Sequence, residues 1–585
     1  MGKSSGRLSR RDLLKAGGAS AALGAFLPSW ARLDDSSRDE GSGSGSNDGS
    51  DEARDPQINL ADVQGNVLAG FNKDHQRLLF FQFGDRTKAQ RWLATIIDET
   101  ATSEEVLAFN ELFRRTRSRR GTEVSAPGAA WMNIALTHPG LAALGVAESE
   151  LAQFPEAFTQ GMAARSQLLG DVDDSAPANW VGPFASSDAV HGLLILAADT
   201  PDALERLARS HTERMSANAV QVVFDDTGRV REDEPGHEHF GFRDGVSQPG
   251  IRGVTRRQNP KDSDQGLPGQ DLLWPGEFVI GYPTQIARPD PDGEEKGANR
   301  NPGPRSRSGP AWTLDGSYLV FRRLRQDVAG FHRMLAQDAA AQGVSVEQFG
   351  AKLVGRYKSG APLERTKDQS IRFDPSKADP SVKNPAILDA RRVNNFEFAD
   401  DADGKLVPRA AHIRKAYPRN ERTPQGGEAD TQTHRILRRG IPYGVSFRQG
   451  APNGSPEGPD ADRGLLFLGY QASLERQFEF VMSQWFNKTD HPERGDGHDP
   501  VISQVSQKRF NLPGGHPAHL TMQPFIFTTG GAYFFQPSIS ALRMLSSPVG
   551  ANAPSSPVPS PRGPQPPAPP GRPPGPGRRR PVAGP

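Results

Sequence analysis

The chain has 585 residues, with 70 Lys and Arg against 69 Asp and Glu, so its formal net charge of +1 points to neither nucleic acid nor a membrane surface. One hydrophobic core rarely serves so long a chain, and two domains or a duplicated one are expected. Cysteine is absent, which excludes disulfides, Cys-ligated zinc, iron–sulfur clusters, thiolate-ligated haem and covalent c-type haem; a metal or haem must be held by His or carboxylate.

The first element is an address. Ser9-Arg10-Arg11-Asp12-Leu13-Leu14-Lys15 is followed by a weakly apolar run from Ala16 to Leu27 and by Ser29-Trp30-Ala31. Paired arginines, a short apolar run and a small-x-Ala end predict a twin-arginine export signal over residues 1–31. The protein is therefore expected to meet the twin-arginine export machinery and to act in the periplasm or outside the cell. The run is too short to cross a bilayer, which takes about 20 residues, so no stable membrane insertion is expected. Residues 32–57, Ser/Gly/Asp-rich from Asp34 to Asp55, read as a flexible linker. At the other end, residues 546–585 are nearly all Pro, Gly, Ala, Ser and Arg and are expected to be extended or disordered.

Between them, strand-like and helical runs alternate. Arg77–Phe83, Trp131–Leu136, His191–Ala197 and Ala219–Phe224 have the short, apolar, β-branched or aromatic character of strands. Lys88–Asp98, Pro139–Leu144, Phe154–Leu169 and Pro201–Ala217 have helical spacing. The same ingredients return as strands Tyr318–Leu324 and Gly464–Tyr470 with helices Asp327–Gln342 and Leu474–Asn487. This predicts an α+β protein of two halves, residues 58–309 and 310–545, each with an antiparallel sheet and helices on one face. Gly253–Asp315 and Asp379–Gly404 are Pro-rich and loop-rich, the kind of segment that shapes a cavity.

Three stretches carry chemistry. Phe240-Gly241-Phe242-Arg243-Asp244-Gly245-Val246-Ser247-Gln248-Pro249 sets one carboxylate between two glycines and beside two aromatics, suited to presenting Asp244 to an apolar cavity. Ala411-His412-Ile413-Arg414-Lys415 places a single His before a basic cluster ending at Pro418-Arg419, and His434-Arg435-Ile436-Leu437-Arg438-Arg439-Gly440 follows. A third reading, a zinc or iron site at His237-Glu238-His239, rests on two imidazoles and a carboxylate with no third ligand in sight.

Read together, these segments resemble the dye-decolourising peroxidases, a family of haem peroxidases. The resemblance runs from Asp62-Val63-Gln64-Gly65-Asn66-Val67-Leu68 through the Asp244 turn, Pro275–Val279 and Asp315–Val320. It continues through Ala411–Lys415, Arg463–Gln471, Gly497-His498-Asp499-Pro500 and Gly531–Phe535. It implies two ferredoxin-like halves of the dimeric α+β barrel type, and non-covalent haem b with one iron per chain in the C-terminal half. It also implies hydrogen peroxide as oxidant, and bulky aromatic donors oxidised in one-electron steps by way of an oxyferryl state. A homo-oligomer fits the same picture. By the resemblance, His412 is the iron ligand and its other ring nitrogen donates to a carboxylate or carbonyl, with Asp499 the candidate and a Glu or a backbone oxygen the alternatives. Asp244 carries the proton on the distal face, and Arg438, with Arg439 as the register alternative, steadies developing charge. Leu465 and Phe467 wall the distal cavity.

A carboxyl proton carrier, with a reference pKa of about 3.9, predicts an acidic optimum. If bulky donors cannot reach the iron, electrons must pass through side chains. Trp274, Trp312, Tyr357, Tyr443 and Trp485 are the candidates. An alternative function, handling haem without oxidising a donor, uses the same residues.

Overall fold

The computed structural model describes residues 55–120, 129–259, 264–286, 301–367, 379–515 and 517–547. The expected twin-arginine signal, nearly all of the expected linker and the tail beyond Ser547 lie outside the described residues.

The N-terminal half is built on β1 (His75–Phe83), β2 (Trp131–Leu136), β3 (Gly192–Ala198) and β4 (Val220–Arg229). Its long helices are α1 (Arg86–Ile96), α2 (Ser103–Arg120) and α3 (Pro201–Ala217). Local chemistry sets their starts. Asp85 accepts from Lys88 N at the head of α1, and Thr200, followed by Pro201, accepts from Ala203 N at the head of α3. The segment read as one helix over Phe154–Leu169 is instead broken into short turns around Gly161, whose φ of 76° a helix cannot hold.

The C-terminal half repeats the plan with β5 (Ser317–Gln326), β6 (Leu437–Arg438), β7 (Ile441–Tyr443), β8 (Gly464–Gln471) and β9 (Ile526–Gln536). Helix α4 (Val328–Gln342) is capped by Asp327 and closed by left-handed Gly343, and α5 (Val346–Val354) is capped by Ser345 and closed by Gly355. A five-residue helix, α6 (His412–Ala416), follows. Leu474–Asn487, expected as an α-helix, forms two π-helical turns, Leu474–Glu479 and Val481–Phe486.

Within each half the strands lie in the same order: second, third, first, fourth in the N-terminal half, and β7, β8, β5, β9 in the C-terminal half. The two sheets are not separate. They join into one nine-stranded sheet, β5-β9-β2-β3-β1-β4-β7-β8-β6, and β8 also pairs with β5, so the sheet closes on itself. The seams are narrow: Phe535 opposite Leu136, and Gly228 opposite Tyr443. Closure removes the free edges that two open sheets would present.

Aromatic rings cross between the halves inside the barrel. Phe80 of β1 lies 4.8 Å from Phe321 of β5 and 6.2 Å from Phe534 of β9. Alternation on β8 then decides what the barrel's outer face offers. Leu466 and Leu468 are fully buried in the core, while Leu465 and Phe467 point the other way, under the helices of the C-terminal half.

Candidate active site

That outer face is one wall of a cavity of about 310 Å³, in the size range of small-molecule and cofactor sites. Arg322, Leu324 and Gln326 of β5 and Leu465 and Phe467 of β8 reach it by strand alternation. Opposite stand His412 and Ile413 of α6 with Val481, Met482 and Phe486 of the π-helical turns. The Phe240–Pro249 turn and Arg438 of β6 close a third side.

On the α6 side, His412 is held hard. Its Nδ1 lies 2.9 Å from Asp499 Oδ2, and its ring stacks near Phe486 at 5.7 Å. Asp499 is fully buried, and its other oxygen accepts from Val501 N and Ile502 N, each at 2.8 Å. Burial alone would push the Asp499 carboxyl up. The His412 ring, the backbone donors and the charge of Lys508 outweigh it and hold the carboxyl below its ordinary range. Lys508 and Lys415 are themselves fully buried and brought down to about 8 by desolvation. With Nδ1 engaged, Nε2 of His412 has no partner among the described residues, and it belongs to a side chain that lines the cavity.

The other side is looser. The Asp244 turn is shaped from beneath by Glu238, which accepts from Phe240 N and Phe242 N at 2.8 Å each, and by Gly241 at φ 91°. Burial raises the Glu238 carboxyl. Asp244 Oδ1 accepts from Gly245 N at 2.6 Å and lies 3.6 Å from Arg438 Nη1. Both side chains of this pair stay partly open, at 41% and 38% exposure. Arg438 donates through Nη2 to Ser247 O at 2.8 Å, and Gln248 grips its backbone, taking Arg438 N at 3.2 Å and giving Nε2 to Arg438 O at 3.1 Å.

The register question between the two arginines is answered by direction. Arg439 turns away and donates to the carbonyls of Asn66, Val67 and Leu68, so Arg438 is the one that faces the cavity. The His237-Glu238-His239 reading is corrected. His239 Nε2 is spent on Tyr443 O at 2.7 Å, Glu238 on the turn, and His237 Nδ1 lies near Pro235 O at 3.2 Å. Among the described residues no three metal-ligating side chains converge. A lone imidazole is a poor holder of a bare ion but a sufficient axial ligand for iron already held by a macrocycle.

Two residues near the site were quoted within sequence motifs without being singled out. Gln248 is one. Arg419 is the other: it is 5% exposed, lines the cavity, sits 4.0 Å over the Phe396 ring and has no hydrogen bond or ion pair with any described residue. A buried guanidinium in that condition suits an anionic ligand group such as a carboxylate. Of the electron-relay candidates, Trp274, Tyr357, Tyr443 and Trp485 are buried; Trp312 is partly exposed and donates to Glu150 at 3.2 Å.

Fold and site define a barrel protein whose cavity, lined by His412 and by His434, whose Nδ1 lies against Arg476 O, also holds an Asp–Arg pair. Comparison with known proteins gives that arrangement a family. Residues 62–232 match the DyP dimeric alpha+beta barrel domain, and residues 291–517 match the C-terminal domain of Dyp-type peroxidases. Peroxidase 2 of Mycetinis scorodonius is 32% identical over 513 residues, covering 83% of this chain and 87% of that one. The crystal structure of a fungal DyP-type peroxidase from Auricularia auricula-judae superposes with a TM-score of 0.66 at 28% identity, covering 84% of this chain and all of that one. A deferrochelatase of Yersinia pestis is 29% identical over 176 residues, 30% of this chain and 29% of that one. The chain belongs to the dye-decolourising peroxidase family, and it is an oxidoreductase acting on peroxide.

Proposed function

We propose that the cavity holds haem b without covalent attachment, one iron per chain, with His412 Nε2 as the protein ligand, and that the enzyme uses hydrogen peroxide to oxidise bulky aromatic donors, dyes among them. The observation that carries this is the opposition across one cavity of an imidazole with a single available nitrogen and a carboxylate–guanidinium pair. The residues present fit the group. His412 supplies a neutral nitrogen donor, Arg419 an unpaired buried cation for a carboxylate edge, and the apolar walls suit the ring. Haem, when bound, supplies the redox centre at which peroxide is reduced.

The chain's own residues do the rest. Asp499 fixes the His412 tautomer, so that Nδ1 carries the proton and Nε2 is left as donor. Asp244 takes a proton from the nearer peroxide oxygen and returns one to the oxygen that leaves as water. Arg438 steadies the negative charge that builds during that transfer. Leu465 and Phe467, which line the cavity, would narrow it and keep bulky donors out.

The test is the absorption spectrum of the purified protein, taken again after one equivalent of peroxide and after a dye. Haem absorption that changes with peroxide and returns with dye is the expected result. Release of iron from haem, with no dye oxidation, would favour the deferrochelatase-like reading, whose match covers the smaller part of the chain. Export is part of the proposal as well. The Arg10-Arg11 leader supports twin-arginine delivery to the periplasm or beyond, and replacing both arginines by lysine should leave the protein in the cytoplasm.

A further inference from the structure

Peroxide takes two electrons, and aromatic donors oxidised in one-electron steps supply them one at a time. One oxidising equivalent must therefore be held while the other is spent. A side chain can hold it only if it is oxidisable, adjoins the cofactor site and has a base to take its proton. None of Trp274, Trp312, Tyr357, Tyr443 and Trp485 lines the cavity. Among the described residues, Tyr417 is the one Tyr or Trp that does.

We propose that Tyr417 holds one oxidising equivalent in the cavity wall as a neutral tyrosyl radical, its phenolic proton passing to Asp271. The proposal rests on the peroxidase reading above. Tyr417 closes α6, and its backbone N donates to Ile413 O at 3.1 Å, so the helix that carries His412 also fixes the phenol. The side chain is partly exposed and lines the cavity, while its hydroxyl donates to Asp271 Oδ2 at 2.6 Å. Asp271 is buried, and Arg435 Nη1 holds the same oxygen at 3.2 Å.

The surrounding charges decide the form of the oxidised state. Two guanidiniums lie over the Tyr417 ring, Arg435 at 3.7 Å and Arg419 at 5.6 Å from its centroid. A positive charge left on the ring would be repelled by both. The electron must leave together with the proton, and Asp271 is the base within reach. Burial, with the Asp271 charge added, keeps the resting phenol well above its ordinary pKa, so it stays protonated until it is oxidised. In the step itself the Tyr417 O–H bond breaks, the proton forms an O–H bond on Asp271 Oδ2, and one electron passes to the cofactor already oxidised by peroxide. An aromatic donor then returns one electron, Asp271 returns the proton, and the phenol is restored.

The experiment uses the haem-loaded full chain, mixed with one equivalent of hydrogen peroxide without a donor and freeze-quenched. Radicals are read by electron paramagnetic resonance and haem by absorption. Wild-type protein should give a tyrosyl signal that narrows when the chain carries ring-deuterated tyrosine. Tyr417→Phe keeps the ring and removes the hydroxyl, and it should lose that signal, measured per haem that reacts. Asp271→Asn keeps the phenol and removes the base, and the signal should appear about tenfold more slowly or worse. A tyrosyl signal undiminished in Tyr417→Phe would put the radical on another tyrosine and overturn the proposal. So would its absence from wild-type protein whose haem absorption does change with peroxide. Haem absorption that peroxide leaves unchanged would instead overturn the peroxidase reading itself, and the radical with it.

Discussion

The two faces of the cavity are built on opposite principles. On the His412 side both carboxylate oxygens of Asp499 are engaged at 2.8–2.9 Å and the carboxylate is fully buried. On the Asp244 side the ion pair is 3.6 Å long and each partner is about two-fifths exposed, at 41% and 38%. The difference suits the roles proposed for the two sides. A metal ligand has to hold one orientation and one tautomer, so a dry, saturated setting serves it. A proton carrier must exchange protons with water and with a moving substrate, so it needs slack and solvent. Even there the slack is bounded, because Gln248 fixes the Arg438 backbone and Ser247 O takes one arm of its guanidinium.

The comparison breaks most visibly at Asp244. Asp244→Asn keeps the side chain's size and loses its ability to accept a proton. Turnover should fall by about 10²–10⁴-fold while haem absorption is retained. A variant that turns over normally would make the open side dispensable. Arg438→Leu should cost about 10²–10³-fold in the peroxide step, read from the rate of the absorption change with peroxide. Asp499→Asn probes the saturated side and should act differently. It should lower haem affinity or turnover by about 10–100-fold, and the haem spectrum should shift as the imidazole loses its fixed partner. If Asp499→Asn leaves the spectrum untouched while Asp244→Asn alters it, the assignment of the two faces is reversed.

The sequence carried more of the site than of the fold that positions it. Asp244, His412, Arg438, Asp499, Leu465 and Phe467 each sit in a short local pattern, and all but Asp499, which stands directly behind His412, line the cavity. Barrel closure is a different kind of fact. It depends on two one-residue seams, Phe535 with Leu136 and Gly228 with Tyr443, whose partners are hundreds of residues apart and leave no mark on local periodicity. Strand β9 was missed for a related reason. Its Thr-Thr-Gly-Gly stretch interrupts the apolar run, and the register shifts there, between Thr528 and Gly530. Periodicity over Leu474–Asn487 suggested an ordinary helix, because a π-helical turn buries a similar apolar face. Arg419 was invisible as anything but one of several basic residues, since its distinction is the lack of a partner, which only the fold reveals.

The smallest effect concerns how far the acidic range favoured by a carboxyl proton carrier can be used. His491, fully buried, stacks on Trp485 with centroids 4.4 Å apart and planes 10° apart, and its Nε2 lies 3.2 Å from Lys415 O. Burial, with the Lys415 charge added, pushes its pKa down to about 2; burial likewise brings His239 down to about 4. Both start from about 6.5 in the unfolded chain. The folded form therefore binds fewer protons than the unfolded form below that value. The stability that depends on neutral rings is fully present above about pH 6.5 and is lost progressively as pH falls toward the folded values. His491→Phe keeps the ring stack and removes the titration. Its acid-unfolding midpoint, followed by tryptophan fluorescence, should move down by about half a pH unit, with the dye-oxidation profile extended to match. An unmoved midpoint would assign the acid limit to other groups, with His239 the next to replace.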